Sequence, residues 1–402
     1  MLNKKELDLI IWGATGFTGQ LVSEYISKKY SNTSLKWGIA GRNKNKIFSI
    51  AQKLNLNKER IFIADSNDIK SLLKLTAKTK VICTTVGPYA KHGTKLVEAC
   101  VKTNTNYCDI TGETQWIRRI IDKYHLKAKE NKIKIINSCG FDSIPSDMGV
   151  FYFQNRLFEK TGKYASKISM RLVGAKGGIS GGTYNSLTNV LEEARQDKKV
   201  RETLINPYGL NPKDKQFGPD KPDLQKVLLD KVSKSWIAPF VMAGINTKIV
   251  RRSHALIGFK YGSAFSYDEA TMTGKGILGQ IKGYISLIPI FLATRKKGSI
   301  IKKIVDYILP KSGEGPSEET RINGYYSLRF YLNHHNKIYV SKVIGDMDPG
   351  YGSTSKMLAE SAICLATDKT CETYGVLTPS VGLGMPLLKR LQENAGLTFV
   401  FE

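Results

Sequence analysis

The chain has 402 residues, 41% of them apolar, which suits a globular protein of about two domains with a sizeable core. Its formal net charge of +26 calls for an acidic partner or surface, such as a polyanionic cofactor or anionic lipid, or else for a plain lysine-rich exterior. Nucleic acid is not expected, because no basic helix interleaved with aromatics, no zinc-ligand spacing and no RNA-recognition signature is present.

Near the start, Leu9, Ile10, Ile11 and Trp12 form a short apolar run, as expected for a strand buried on both faces. Gly13, Gly16 and Gly19 follow at once, and Leu21, Val22, Tyr25 and Ile26 then recur at helical spacing. Strand, glycine turn and helix in that order make a phosphate-cradling unit. Glycines let backbone approach a pyrophosphate, and the first helical N–H groups face its charge. A mere tight turn is the alternative. The spacing is GxxGxxG rather than GxGxxG, a variant that suits NADP.

A second strand, Leu35–Arg42, ends in Gly41-Arg42-Asn43. NAD-specific folds place a carboxylate there for the ribose 2′-hydroxyl, whereas an arginine suits the 2′-phosphate of NADP(H). A third strand, Arg60–Ala64, reaches Asp65, which could take the adenine amino group or cap the next helix. A fourth, Lys80–Thr85, leads into Gly87-Pro88-Tyr89, where the chain must pass close to a cofactor. Asn106–Ile110 leads into Thr111-Gly112-Glu113, and Ile133–Asn137 into Cys139 to Asp147. This alternation predicts an α/β fold, with a Rossmann-type doubly wound parallel sheet over residues 1–147. The cofactor-binding candidates are Gly13, Thr15, Gly16, Phe17, Thr18, Gly19, Arg42, Asp65, Gly87 and Pro88. Ligands of such sheets bind beyond the strands' carboxyl ends. Tyr89, Asp142 and Ser143 are therefore the candidate proton donors, with Asp142 equally able to hold its own turn and Glu113 able to cap a helix.

Beyond residue 147 the rhythm changes, predicting an α+β substrate domain with an antiparallel sheet over 148–345. Met148–Phe158 reads as a helix and Lys167–Val173 as a strand. A glycine-rich loop from Gly174 to Thr183 precedes a helix, Tyr184–Arg201, and reads as a mobile substrate loop, with a second nucleotide site as the alternative, disfavoured because no βαβ unit surrounds it. Residues 206–223 read as a surface loop, and Lys248–Ala255 and Gly258–Tyr267 as antiparallel strands. Gly276–Thr294 is the most apolar long stretch, with Arg295, Lys296, Lys297, Lys302 and Lys303 after it. It reads as a core or interface helix, as an interfacial membrane helix with a basic flank, or as a spanning helix. Lys311–Asn323 reads as a polar loop. Tyr325–Leu332 and Lys337–Ile344 form a hairpin around His334 and His335, whose place at a turn speaks for solvent rather than metal. Helices over 346–402 are expected to pack back on the first domain. The six cysteines include no CxxC pair and read as buried thiols in a reducing compartment. With no leader in view, a cytoplasmic location is expected, peripheral to a membrane if 276–303 touches lipid. No metal is expected, and a homodimer is open.

These motifs together resemble the saccharopine dehydrogenase-like oxidoreductases, in the branch called trans-acting enoyl reductases. GATGFTG from Gly13, AGRN from Ala40, TTVGPYAKHG from Thr84, YCDITGE from Tyr107 and CGFDSIPSD from Cys139 carry the likeness. So do GGISGGT from Gly177, GPSEETR from Gly315 and GYGSTSKMLAESA from Gly350. The resemblance implies NADPH and a fatty-acyl or polyketide substrate, linked to lipid or an acyl carrier, whose carbon–carbon double bond is reduced in lipid or glycolipid biosynthesis. It implies membrane association, as in eukaryotic relatives, but no proven donor residue. A saccharopine-like C–N oxidoreductase and a membrane-associated nucleotide-binding protein without turnover are the alternatives.

Overall fold

The computed structural model describes residues 5–177, 181–293, 315–335 and 337–402. The chain divides into two compact units, Met1–Ile144 with Gly350–Ala395, and Pro145–Pro349 with Gly396–Glu402.

The first unit is built on a parallel sheet. Its strands are β1 (Leu7–Trp12), β2 (Trp37–Gly41), β3 (Ile61–Ile63), β4 (Thr79–Thr84), β5 (Asn106–Asp109), β6 (Lys134–Ile136) and β13 (Gly375–Leu377), in the order β13-β6-β5-β4-β1-β2-β3. β1 pairs in parallel with both β2 and β4, so the strand order reverses there. That reversal opens a crevice beyond the carboxyl ends of the two strands, where ligands of doubly wound sheets sit. Leu9, Ile10 and Ile11 are wholly buried, as a central strand covered on both faces requires. β13, whose three residues leave too short an apolar run to read from sequence, extends the sheet beyond β6.

The helix Phe17–Lys29 is fixed from the far end of the chain. Glu360, on the helix Thr354–Thr367, is fully buried, yet it accepts the hydroxyls of Tyr25 at 2.7 Å and Tyr30 at 2.6 Å and pairs with Arg390 at 3.2 Å. Arg390 also grips Asp368 through two nitrogens, at 2.6 and 2.7 Å. A buried carboxylate is stable only with such donors around it.

The second unit holds a mixed sheet of β7 (Lys167–Lys176), β8 (Leu228–Asp230), β9 (Ser235–Ala238), β10 (Ser266–Gly274), β11 (Tyr325–His334), β12 (Lys337–Gly345) and β14 (Leu397–Phe401). Its order is β14-β12-β11-β7-β10-β9-β8, with β7 and β10 parallel and the other pairs antiparallel. The helix Ile144–Thr161 covers one face, with Phe153 edge-on to Phe330 at 5.1 Å.

Several sequence expectations change here. Lys248–Ala255 is not a strand but lies in the helix Ala243–Leu256. Charged residues disguised it, because Lys248, Arg251, Arg252 and His254 are all buried. Residues 206–223 are not merely surface, since Asp220 pairs with Arg251 at 3.1 Å and Leu210 receives Arg252 through its carbonyl. The strand expected to end at Val173 runs on to Lys176, and the following helix breaks at Asp197 into Gly181–Gln196 and Lys198–Ile205. Gly178, Ile179 and Ser180 of the expected substrate loop lie outside the described residues, as do residues 311–314 of the expected polar loop, whose later part is not all loop but carries the short helix Glu318–Ile322.

The helix Gly276–Ala293 is not a core helix. A side chain on Gly283 would meet Val227 Cγ1 at 2.7 Å, so the helix lies hard against its neighbours along its glycines. Its bulky residues turn outward. Ile277 is 76% and Leu278 73% exposed, and Ile281, Tyr284, Ile285, Ile288 and Phe291 are exposed with them. No helix among the described residues is long and apolar enough to cross a membrane.

Candidate active site

The glycine turn assigns different work to its three glycines. Gly13 has φ +91°, and a side chain there would strike Val86 at 2.5 Å. A methyl on Gly19 would sit 2.1 Å from the Gly13 carbonyl oxygen, so Gly19 lets the helix pack on the turn. Gly16 is different. Its φ of −83° and ψ of 164° are ordinary extended values, and a methyl there meets only the Gly13 oxygen, at 3.4 Å. The space above Gly16 is thus not filled by the protein's own packing. The helix opens on Gly16 without a side-chain cap and without an acidic residue in its first turn. Such an end favours an anion. Phe17 is held edge-on by Tyr351 at 5.3 Å, and Thr15 lies against Gly41. Thr18 lies between Phe17 and Gly19 in the same first turn.

Arg42, one residue past β2, is exposed and forms no ion pair with a described carboxylate. Asn43 beside it caps the helix Lys44–Lys53, accepting Lys46 N–H at 3.0 Å. Asp65 lies two residues past β3 and accepts Asn67 N–H at 2.8 Å. The cap of the next helix is Asp68 instead. Gly87 and Pro88 follow β4, with Gly87 exposed. All ten cofactor candidates therefore fall at the carboxyl edge of four adjacent strands. Ten scattered residues reach one edge because parallel strands all end there.

The three donor candidates differ in what occupies them. Tyr89 is buried, its hydroxyl donating to the Thr84 carbonyl at 3.2 Å and facing the Ile110 N–H at 3.4 Å. Burial, then the charge of Asp109, holds that hydroxyl well above the usual tyrosine range. Ser143 is buried and donates to the Asp142 carbonyl at 2.6 Å. Asp142 is half-buried, with its carboxyl over Gly112, where a methyl would approach Oδ1 to 3.1 Å. No cation faces it among the described residues. Loss of solvent pushes its carboxyl up to about 7, opposed by its own N–H and aided by the charge of Asp109.

Two residues not singled out from sequence as parts of the site also follow or close strands at this carboxyl edge. Asp109, at the end of β5, accepts Thr111 N–H and Ser138 N–H at 3.0 Å, and Tyr107 hydroxyl and Asn137 amide at 2.8 Å. Burial still outweighs those donors and lifts its carboxyl to about 6. A carboxylate closing the run Asn106–Asp109 was the available sign. His92 lies on the helix Tyr89–His92 with its Nδ1 buried and without a hydrogen-bond partner. Glu113, anticipated as a cap for the helix after it, stands at the N-cap position of that helix, Thr114–Glu130, but its side chain caps the short helix Tyr89–His92 instead. Its two oxygens accept Tyr89 N–H at 2.7 Å and Ala90 N–H at 2.9 Å. No cluster of metal-ligating side chains occurs among the described residues.

Residues 9–136 match the family described as saccharopine dehydrogenase NADP-binding domain. The chain is 35% identical to a Mycobacterium tuberculosis protein provisionally named a trans-acting enoyl reductase, over 96% of each chain. It is 32% identical to the trans-acting enoyl reductase of Mycobacterium leprae, over 98% of this chain and 97% of that one. The chain belongs to the trans-acting enoyl reductase family. It is an NADP-dependent oxidoreductase, and NADP(H) is its cofactor. Its fold is also that of saccharopine dehydrogenase (L-Glu forming) from Saccharomyces cerevisiae, with a TM-score of 0.54 over 98% of both chains at 11% identity. The parallel sheet and the second, mixed sheet of this chain thus belong to a fold it shares with that enzyme.

Proposed function

We propose that this protein reduces the carbon–carbon double bond of a fatty-acyl or polyketide chain carried on a lipid or an acyl carrier. The observation that carries the reading is full-length identity of 32–35% to trans-acting enoyl reductases, joined to a glycine cradle that the protein leaves open. In this reading Gly13 to Gly19 hold the pyrophosphate against backbone amides, with Thr15, Phe17 and Thr18 shaping the turn. Arg42 takes the 2′-phosphate, Asp65 the adenine amino group, and Gly87 and Pro88 line the remaining wall. When bound, the reduced nicotinamide supplies a hydride with its electron pair. Asp142 holds the balancing proton on its carboxyl and gives it to the carbon beside the carbonyl. A carboxyl pushed up to about 7 carries that proton at neutral pH. Tyr89 and Ser143 position the site, because their hydroxyls are committed to backbone carbonyls.

The outward face of Gly276–Ala293 supports a peripheral seat on an anionic membrane through 276–303. Between Glu269 and Asp306 the sequence has no acidic residue and seven cations, Lys275, Lys282, Arg295, Lys296, Lys297, Lys302 and Lys303. An apolar face beside a basic run suits an anionic headgroup layer. The regions on either side keep the domain reading of a cofactor domain over 1–147, a substrate domain over 148–345 and returning helices over 346–402.

The experiment follows NADPH absorbance with α,β-unsaturated acyl thioesters and, in parallel, with imines formed from amino acids. Consumption with the thioesters supports the reading. Consumption with the imines alone replaces it with C–N chemistry, and tight NADPH binding without consumption replaces it with a non-catalytic role.

A further inference from the structure

The imidazole of His92 is the most conspicuous polar group left over at the carboxyl edge. It sits at the end of the short helix after β4, half-buried, and its Nδ1 is shielded from solvent without a hydrogen-bond partner. A buried nitrogen of this kind costs free energy unless something supplies a partner. The charged groups that act on the ring come from three elements. Lys91 is its neighbour on the same helix, Arg42 follows β2, and Asp65 follows β3. His92 therefore lies within electrostatic reach of the arginine proposed above for the 2′-phosphate, while Asp142 is not among the groups that act on it.

We propose that His92 is a second reader of the 2′-phosphate, its ring becoming protonated as that phosphate settles beside Arg42, so that NADPH but not NADH binds with uptake of a proton. The inference rests on the reading of Arg42 given above and adds a selectivity device to it. Without ligand, burial and the cations Lys91 and Arg42 keep the ring neutral, with Asp65 opposing them. A phosphate reverses the local field. An imidazolium then donates from both ring nitrogens and carries a positive charge, where a neutral ring donates from only one, and selectivity for NADPH grows as pH falls.

The test is calorimetric titration of the whole protein with NADPH and with NADH at about pH 6 and pH 8, in buffers of different ionisation enthalpy. The expected result is buffer-dependent heat showing proton uptake with NADPH only, and NADPH affinity roughly tenfold weaker at the higher pH. His92→Gln keeps a neutral hydrogen-bonding ring substitute and should abolish the extra uptake and flatten most of that pH dependence. Ionisation of the phosphate itself is common to both proteins and cancels in the comparison. Unchanged proton uptake in His92→Gln overturns the inference. Arg42→Ala separates the two claims. If it weakens NADPH binding while His92→Gln does nothing, the histidine fails and the arginine stands. If Arg42→Ala also leaves NADPH affinity intact, the reading beneath both fails.

Discussion

The three glycines of the first turn predict opposite outcomes for substitutions that look alike. Gly16→Val places a side chain on backbone with φ −83° and ψ 164°, an extended conformation that β-branched residues adopt without strain. Its first carbon meets only the Gly13 oxygen, at 3.4 Å. Loss of a helix-capping glycine should then cost about 1 kcal/mol or less, a melting shift of about 2–4 °C for a unit of this size. Gly19→Ala adds a single carbon 2.1 Å from one backbone atom and 2.7 and 2.9 Å from two others, none of which can swing away. Overpacking of that kind belongs at the top of the usual range of roughly 1–3 kcal/mol. Thermal melting with and without NADPH reads both effects. Saturating NADPH should stabilise the parent protein by about 2.7 kcal/mol at a hundredfold excess over Kd. Gly16→Val should melt near the parent without ligand and gain nothing from NADPH or NADH. Gly19→Ala should be destabilised before any ligand is added. A Gly16→Val protein that NADPH still stabilises fully would refute the cradle, and a Gly19→Ala protein as stable as the parent would refute the packing argument.

Arg42→Ala should weaken NADPH about tenfold or more and leave NADH nearly unchanged, as loss of a charge-assisted phosphate contact requires, and titration with both cofactors measures it. Asp142→Asn should lower turnover by about a hundredfold or more with NADPH affinity intact, since general acid catalysis contributes that much. In the parent enzyme, turnover should fall as pH rises through about 7, because the donor must be protonated. Glu269 is fully buried, holds Ser146 at 2.6 Å and Tyr267 at 2.7 Å, and has its carboxyl pushed up to about 7 by burial. A raised folded-state value makes the stability it contributes greatest at acid pH and lost as pH climbs from the usual carboxylate range through about 7. Glu269→Gln should flatten that slope in denaturant melts, and an unaltered slope would show that another group sets it. Leu278→Glu with Ile285→Glu should abolish flotation with anionic liposomes at little cost in stability, since both side chains are exposed.

What could be read from the sequence was whatever depends on local order. A strand, a glycine turn and a helix are neighbours in the chain, and Arg42 and Pro88 follow their strands directly, so the parallel sheet and its carboxyl edge were legible. Partners distant in sequence were not. Glu113 caps a helix more than twenty residues earlier, and Glu360 meets Tyr25 across most of the chain. Buried charge hid the helix Ala243–Leu256, whose Arg251 and Arg252 look like surface residues until Asp220 and the Leu210 carbonyl are seen to receive them. The apolar stretch from Gly276 gave no direction, because only packing shows that Gly279 and Gly283 face inward and Ile277, Ile281, Ile285 and Ile288 outward.

The central claim is reduction of an enoyl chain, and isotope transfer tests it most directly. NADPH carrying deuterium at the transferable position, incubated with an α,β-unsaturated acyl thioester, should yield the saturated thioester with one deuterium on the β-carbon. The proton added at the α-carbon should come from solvent. Recovery of unreacted thioester beside bound NADPH, or deuterium found on a carbon bonded to nitrogen when imines are offered instead, would contradict the account.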